Sequence, residues 1–246
     1  MKVKYFSFCA SLMILLAVAV SCQQSERTAE DVAPNTLTEQ EKEEGFVLLF
    51  DGETTTGWRS YNGNEFPSEG WVVEDGSLHF QAGSRAGDIV YDGTFRDFHL
   101  KIDWKISERG NSGIFYLGRE IEGRPIWHTA PEFQILDNDL HPDANQGVDG
   151  NRKAASLYDI LPADPQNTKP VGEWNHAEII VYNGSVFHRQ NGEDVVEYQL
   201  GTPEWEDMVI NSKFDVDLFG KYIEGVIGLQ DHGDDVWFRN IKILEY

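Results

Sequence analysis

The sequence is short of cysteine and of basic residues, and each shortage excludes classes of function. Cys9 and Cys22 are the only cysteines, so there is neither a disulfide framework nor a good candidate for a cysteine nucleophile. Lysine and arginine total 20 against 42 aspartates and glutamates, which gives a net charge of −22. Because nucleic acids and anionic membrane surfaces attract basic proteins, we expect neither as a partner.

Several catalytic signatures are also missing. The sequence contains no G-x-S-x-G nucleophile elbow, no glycine-rich loop that would cradle a phosphate and no H-E-x-x-H metal motif. Serine hydrolase, nucleotide-dependent and zinc-peptidase chemistry are therefore poor fits. The chemistry has to come from carboxylates, amides, histidines and aromatic residues instead.

Long apolar runs are scarce, and the longest lies at the N-terminus. Lys2 and Lys4 precede the apolar run 6–20, which is too short to span a bilayer comfortably. The run ends in Ala-Val-Ser before Cys22, a pattern typical of a bacterial lipoprotein signal, although plain secretion with cleavage near Ser21 is the alternative. We therefore expect residues 1–21 to be a signal peptide and Cys22 to carry a lipid that anchors an exported protein in the cell envelope.

The rest of the chain reads as a tether followed by one domain. Residues 22–45 are mostly polar and predict a flexible tether, in which the capping-box spacing of Thr38 and Glu41 allows a short helix that Gly45 would end. Residues 46–246 are enough for a single domain with a sizeable core.

The pattern within residues 46–246 is β throughout. The segment 99–106 alternates polar and apolar residues, and the dipeptides Asn183-Gly184 and Asn191-Gly192 are typical of two-residue hairpins. No long helix is indicated. We predict an all-β, antiparallel β-sandwich, with a closed barrel as the alternative.

The strongest candidate for a site is the segment from Glu132 to Asp137. Phe133 and Ile135 should face the core, which puts Glu132 and Gln134 on the opposite face of the strand. The alternation slips at Leu136, and a β-bulge there would bring Asp137 to the face of Glu132. The segment would then present two carboxylates and an amide to a polar substrate. A solvated outer face is the alternative reading.

Other segments offer further candidates for carbohydrate contact. In 228–232, Gln230 and His232 share a face, and the glycine-containing strand 111–116 offers Asn111 and Tyr116, although core packing explains Tyr116 equally well. The irregular stretch 118–131 holds Arg119 and Trp127. Trp174 lies in the long irregular stretch 138–176, which we expect to form an ordered flap over the sheet.

A metal site is only weakly indicated. Several aspartates could supply oxygen ligands to a divalent cation such as calcium, but their spacing does not follow an EF-hand pattern, and an acidic hairpin tip would explain them as well. They are Asp137, Asp139, Asp231, Asp234 and Asp235.

An ordered series of motifs gives the sequence a family resemblance. It runs from Phe50-Asp51-Gly52 and Gly57-Trp58 through Asp103-Trp104-Lys105-Ile106, Asn111 to Tyr116, Glu132 to Asp137, Leu157-Tyr158-Asp159 and Gly172-Glu173-Trp174-Asn175 to Gly228 to Gly233 and Val236 to Ile241. Together these motifs resemble the 3-keto-disaccharide hydrolase family over about residues 46–246. The resemblance implies a concanavalin A-like jelly-roll sandwich and a hydrolase that acts on glycosides oxidised to a ketone at C3.

The resemblance also suggests roles for the candidate residues. A C3 ketone acidifies the C2 proton, so that a base can remove it and the C1 leaving group can depart before water adds. Glu132 or Asp137 would serve as base or acid with His232 as partner, and Gln134, Tyr158 or Lys213 as hydrogen-bond donors. The alternatives are a retaining glycosidase, because the segment resembles the E-x-D-x-x-E strand of laminarinase-type enzymes, and a carbohydrate-binding lipoprotein without turnover.

Overall fold

A computed structural model describes residues 33–214 and 217–246. The predicted signal peptide, Cys22 and residues 23–32 of the predicted tether lie outside the described residues. No helix in the described ranges is long and apolar enough to cross a membrane.

The C-terminal part of the predicted tether is attached to the domain. Helix α1 (Glu39–Glu44) begins with the expected capping box between Thr38 and Glu41, and it ends at Gly45 with φ of 96°. Glu41 is buried, with 6% of the residue exposed, and its carboxylate accepts hydrogen bonds from Lys242 Nζ at 2.7 Å and Lys101 Nζ at 3.1 Å. Buried ion pairs thus fix α1 against the large sheet.

Thirteen strands make up the described part of the domain. They are β1 (Val47–Leu48), β2 (Trp58–Ser60), β3 (Trp71–Glu74), β4 (Ser77–Phe80), β5 (Ile89–Tyr91), β6 (Phe98–Ile106), β7 (Asn111–Gly118), β8 (Glu132–Leu136), β9 (Asn175–Tyr182), β10 (Ser185–Gln190), β11 (Glu193–Gln199), β12 (Val226–Leu229) and β13 (Val236–Glu245). The helical elements are α1, α2 (Pro203–Ile210) and the short 3-10 turns Ile126–His128 and Pro142–Asn145.

The strands form two antiparallel sheets. The larger has the order β11-β10-β9-β6-β13-β4-β3, with β1 added on β13, and the smaller has the order β2-β5-β12-β7-β8. Along β6 the predicted alternation holds, because Leu100, Ile102 and Trp104 are buried while the residues between them are partly exposed. The apolar faces of both sheets contribute to one core, so the predicted antiparallel β-sandwich of the jelly-roll type is confirmed.

The smaller sheet, which carries the candidate site, is buried on both faces. Every residue of β7, β8 and β12 is buried. Its inner face joins the main core, and its outer face holds a second apolar cluster that includes Phe115, Ile126 and Val226. The 3-10 turn Ile126–His128 packs over this outer face.

The long stretch 138–176, which ends in the first residues of β9, does not simply cover the sheet as a flap. Part of it runs along the free edge of β8, where Gln134 exchanges backbone hydrogen bonds with Ala155 and Ser156 and Tyr158 N donates to Glu132 O. These bonds use the backbone groups that an edge strand would otherwise leave unpaired. The edge pairing fixes Tyr158 close to Glu132.

Candidate active site

The floor of the candidate site is built by strand pairing on the outer face of the smaller sheet. Gly113 lies opposite Gln134 in the β7–β8 pair, and Gln230, just after β12, donates its backbone N–H to Gly113 O at 3.0 Å. Directly opposed residues of antiparallel strands share a face. Three stretches that are distant in sequence therefore contribute adjacent side chains, which agrees with the prediction from the sequence.

A pocket of about 120 Å³ opens above this floor. Side chains from loops form its walls, and aromatic rings beside polar groups are the combination that sugar rings usually contact. Its lining residues are Asn111, Trp127, Glu132, Gln134, Tyr158, Lys213, Phe214, Gln230 and His232.

Glu132 is the buried acid of the pocket. Only 4% of its surface is exposed, and its carboxyl lies in the space above Gly113. The Gln134 amide, oriented to satisfy both of its neighbours, donates to Glu132 Oε1 at 3.1 Å and to Ser112 O at 3.2 Å, and the nearby Gln230 side chain favours the ionised form of Glu132. Burial raises the pKa of Glu132 to about 8, although the positive charge of Lys213 opposes the shift.

Lys213 and Tyr158 form the cationic wall. Lys213 Nζ lies 4.2 Å from the centre of the Tyr158 ring and 6.0 Å from that of Trp127. Partial burial lowers the pKa of Lys213, while nearby carboxylates, Glu132 first among them, act in the opposite direction. Tyr158 Oη donates to Asp143 Oδ2 at 2.8 Å, and burial raises the pKa of this phenol. The wall thus presents an ammonium near Glu132, while the Tyr158 hydroxyl is bound to Asp143.

His232 lies at the exposed rim. Its Nε2 atom lies 3.4 Å from Asn111 Nδ2, and its ring lies edge-on to that of His141, with centroids 6.2 Å apart. Asn111 is held from below, because its backbone N–H donates to Asp234 Oδ2. Glu132 and His232 therefore line the same pocket, one at the floor and one at the rim.

The structure does not place Asp137 beside Glu132. The β7–β8 pairing continues from Phe115↔Glu132 to Asn111↔Leu136 without a register shift, so the predicted bulge is absent. The Asp137 carboxylate accepts backbone N–H bonds from Arg109 at 2.7 Å, Asp139 at 3.0 Å and Leu140 at 3.2 Å. Because these three bonds hold a carboxylate outside the pocket lining, we assign Asp137 to loop structure and not to the reaction.

Tyr116 also lies outside the pocket. It is completely buried between the sheets, where its hydroxyl contacts His188 Nε2 at 2.6 Å and Tyr198 Oη at 2.7 Å. His188 Nδ1 lies 3.0 Å from the carbonyl of Ala155, so Nδ1 carries the proton and Tyr116 donates to Nε2. The hydroxyl is thus satisfied within the core.

Arg119 and Trp174 are the other two candidates that the fold keeps away from the pocket lining. The guanidinium of Arg119 is exposed and lies 5.8 Å from the Tyr222 ring. Trp174 lies beneath Arg239, whose guanidinium carbon is 4.0 Å from the ring centre, and Lys105 lies 5.1 Å from the same ring. Because β6 and β13 point Lys105 and Arg239 to the outer face of the larger sheet, Trp174 stacks there.

The aspartates proposed as calcium ligands do not converge. Asp231 accepts the backbone N–H groups of Gly87 and Gly233, and Asp235 contacts His79 and the N–H of Ala82. Within the described ranges, the cluster of metal-type donors is His141, His232 and Asp234, whose ligand atoms lie within 4.8 Å of one another. Two imidazoles and one carboxylate suit calcium poorly, because calcium prefers six to eight oxygens.

Three residues at or near the site were not found by sequence reasoning. Asp143 binds Tyr158, Phe214 lines the pocket, and Asp88 lies close enough to affect the Glu132 charge. Asp88 precedes β5, which pairs with β12 at Leu229↔Ile89. Its signal in the sequence is only that of an acidic residue before a short apolar strand, which is too common to single it out.

A known protein family matches most of the chain. The sequence model of the 3-keto-alpha-glucoside-1,2-lyase-like domain matches residues 45–244. The chain belongs to this family. The resemblance seen in the motif series is thereby confirmed over nearly the whole described domain.

Relatives with names and structures extend this finding. The chain is 46% identical over 253 aligned positions to the 3-keto-disaccharide hydrolase of Bacteroides thetaiotaomicron, an alignment covering 92% of this chain and 86% of the relative. A crystal structure of a candidate glycosyl hydrolase from Parabacteroides distasonis superposes with a TM-score of 0.79 at 34% identity, covering 87% of this chain and all of the other. A second such protein from that organism gives a TM-score of 0.62 at 26% identity, covering 82% of this chain and 99% of the other.

Proposed function

We propose that this member of the 3-keto-alpha-glucoside-1,2-lyase-like family hydrolyses 3-keto-glycosides, with 3-keto-disaccharides as the substrate class. The observation that carries the proposal is the buried Glu132 carboxyl at the pocket floor, beside an ammonium and between two amides. The name of the relative at 46% identity supports the substrate class.

The proposed reaction removes the C2 proton before the glycosidic bond breaks. Glu132, as carboxylate, accepts this proton, and the electron pair moves to the C3 oxygen to give an enolate. Collapse of the enolate re-forms the C3 carbonyl, makes a C1–C2 double bond and expels the C1 oxygen, which takes up a proton. Water then adds across the double bond, with its hydroxyl going to C1 and a proton to C2, so that the overall change is hydrolysis.

The pKa of Glu132 suits the first step. A carboxylate whose conjugate acid has a pKa of about 8 is a stronger base than an exposed one, and general acid–base catalysis works best when the pKa lies near the working pH. Burial, which causes the shift, also keeps competing water away from the carboxyl. After the first step, the neutral Glu132 can return its proton during hydration.

Lys213 is the proposed stabiliser of the enolate, and the Tyr158 ring holds its ammonium in place. Both line the pocket, and an ammonium with a lowered pKa can also hand over its proton more readily than a solvated one. Donors that are held in place before charge develops on an oxygen lower the barrier without reorganising. His232 at the rim is the proposed acid for the departing C1 oxygen, with Asn111 orienting its ring.

The substrate comparison that tests the proposal uses a 3-keto-glucoside and its unoxidised parent. Cleavage of the keto compound alone, in D₂O with deuterium entering at C2, is the expected result. Equal cleavage of the parent would favour a retaining glycosidase, but such an enzyme needs a second carboxylate near the first, and Asp137 is held by three backbone N–H groups. Binding of both sugars without turnover would leave a carbohydrate-binding protein.

We also propose that the protein is exported and anchored in the cell envelope through a lipid on Cys22. The support is the order of basic residues, apolar run and cysteine in residues 2–22. The partners of the protein would then be a small carbohydrate in the pocket and the membrane that holds the lipid anchor.

A further inference from the structure

A row of side chains crosses the outer face of the smaller sheet and leads away from Glu132. Leu229 of β12 lies opposite Ile89 on one side and Ile114 on the other. One residue further on, the same register puts Gln230 between Asp88 and Gly113. Two hydrogen bonds agree with this, one within the backbone from Gln230 N to Gly113 O and one from the Asp231 backbone N–H to the Asp88 side-chain oxygen Oδ1, both at 3.0 Å.

The Glu132 carboxyl lies next in this row, although Glu132 is not the residue of β8 that pairs with Gly113. Gly113 has no side chain, and the Glu132 carboxyl lies where a Cβ of Gly113 would be. The order across the sheet is therefore Asp88, Gln230, Glu132 carboxyl and Gln134. Opposed side chains on antiparallel strands have Cβ atoms about 5 Å apart, so Asp88 and Gln230 are immediate neighbours.

The Gln230 amide connects the two carboxyl groups. It favours the ionised form of Glu132, which an amide does through its N–H donors, and its Oε1 atom is buried with no hydrogen-bond partner among the described residues. Because the oxygen and nitrogen of one amide point in different directions, Oε1 faces away from Glu132. A buried carbonyl oxygen without a donor is destabilising, and a neutral Asp88 carboxyl is the group in the row that can supply an O–H.

Asp88 can exist in this neutral form near physiological pH. Burial raises its pKa to about 7, opposed by the N–H of Asp231 and reinforced by the Asp231 charge. Its own charge is in turn one of those that raise the pKa of Glu132. The mechanism proposed above does not use Asp88.

We propose that Asp88 is a positioning residue for Glu132, acting through the Gln230 amide. In its neutral form Asp88 holds the amide so that its nitrogen donates to Glu132, and in its charged form it opposes ionisation of Glu132. The inference rests on the proposed function only in treating Glu132 as the catalytic carboxyl; the coupling of the two carboxyl groups is a property of the fold.

Other ionisable groups also face the pair and must stay constant in a test. The groups that interact with Glu132 come from the loop before β12, from the long stretch 138–176 and from the core face of β7. Those near Asp88 come from the segment after β12 and from the end of β2. They are Lys213, Asp143, Tyr158 and Tyr116 for Glu132, and Asp231 and Tyr61 for Asp88.

The test compares Asp88→Asn with Asp88→Ala in the full chain. Asparagine keeps a donor for Gln230 Oε1 but removes the charge, whereas alanine removes both. The readouts are the titration of the Glu132 carboxyl by ¹³C NMR, assigned with Glu132→Gln, and the pH dependence of kcat on a 3-keto-glucoside. The matched control is Asp92→Asn, which removes an exposed carboxylate just after β5 that pairs with Arg59 at 3.0 Å.

With asparagine at position 88, the Glu132 pKa should fall by about 0.5–1 unit, as expected for removing one charge at this range in a partly screened site. The ascending limb of the plot of kcat against pH should move to lower pH by the same amount, while KM stays within about twofold of the wild-type value. With alanine, kcat should also fall about tenfold, because the amide loses its partner. Asp92→Asn should leave both the titration and the kcat profile unchanged.

An unchanged Glu132 titration in Asp88→Asn would overturn the inference, and so would a shift of equal size in Asp92→Asn. A rise in KM without a shift of the pH profile would likewise overturn the inference, because that result would indicate that Gln230 Oε1 contacts a sugar hydroxyl. The titration does not need turnover. If the wild-type protein fails to cleave the keto-glucoside but Asp88→Asn still lowers the Glu132 pKa, the proposed function is refuted and the coupling stands.

Discussion

The Glu132 carboxyl lies in the space left by the absent side chain of Gly113. A Cβ built on Gly113 would overlap Glu132 Oε1 and come within 2.7 Å of its carboxyl carbon. The glycine therefore lets a residue of β8 turn its acid across β7 towards Gln230. An ordinary strand residue at position 113 would force the acid out of the row of amides.

Replacing this glycine tests whether the placement matters. Gly113→Ala should lower kcat about 100-fold or more and destabilise the fold by about 1–3 kcal/mol, because the new methyl group overfills a packed site. The control is Gly93→Ala, whose Cβ would meet its nearest neighbour at an ordinary 3.5 Å. Unchanged kinetics in Gly113→Ala would show that Glu132 functions from another position.

Removing the acid itself should separate catalysis from folding. Glu132→Gln keeps the shape of the side chain and should abolish measurable turnover of a 3-keto-glucoside while the sugar still binds, a split that kcat and isothermal titration would measure. General base catalysis contributes about 10²–10⁴-fold. A rate within tenfold of wild type would remove Glu132 from the reaction.

The same residue predicts a pH dependence of stability. Burial raises the pKa of Glu132 from 4.5 to about 8, so the folded state holds a proton that the unfolded state releases between these values. The stability is fully present below about pH 4.5 and is lost as the pH rises through 8.

Glu132→Gln should therefore resemble wild type at pH 5 and exceed it in stability at pH 9, by about 1 kcal/mol or more, which is roughly 2–4 °C in Tm. Thermal unfolding at the two pH values measures this. Equal Tm differences at both would mean that Glu132 titrates normally.

The two tryptophans proposed for sugar stacking should behave differently. Trp127 lines the pocket and is 39% exposed, so Trp127→Ala should raise KM about tenfold or more through loss of stacking. Trp174→Ala should leave KM unchanged and cost about 0.5–1 kcal/mol of stability, because it loses the Arg239 contact at 4.0 Å. The reverse pattern in KM would place the sugar on the larger sheet.

The predicted lipid anchor can be tested independently of the site. Cys22→Ser should move the protein from the detergent phase to the aqueous phase of a Triton X-114 extraction and abolish labelling by a fatty-acid analogue, because the thiol is the acceptor of the lipid. Ser21→Ala is the matched control. Membrane retention of Cys22→Ser would contradict the lipoprotein assignment.

The faces on which Asn111 and Tyr116 lie follow from the two-residue period of a strand. Asn111 and Tyr116 are separated by an odd number of positions, so a regular strand puts them on opposite faces. Asn111 reaches the pocket, whereas Tyr116 points into the core and bonds with His188 and Tyr198. Placing both at the site was inconsistent with the strand that carried them.

Other errors had no remedy in the sequence. Leu136 looked like a slip in alternation, but it is buried because the smaller sheet is covered on both faces, and a strand of that kind need not alternate. The bulge was therefore unnecessary, and Asp137 became free to cap the turn behind β8.

The sequence by itself determined the sandwich, the hairpin turns and the face on which Glu132 and Gln134 lie, because these follow from a two-residue period and from local turn preferences. Only the tertiary structure decided that Gly113 makes room for the acid, that Asp88 stands in its row, and that Trp174 belongs to the other sheet. These depend on register between strands distant in sequence, and local patterns do not encode which strand lies beside which.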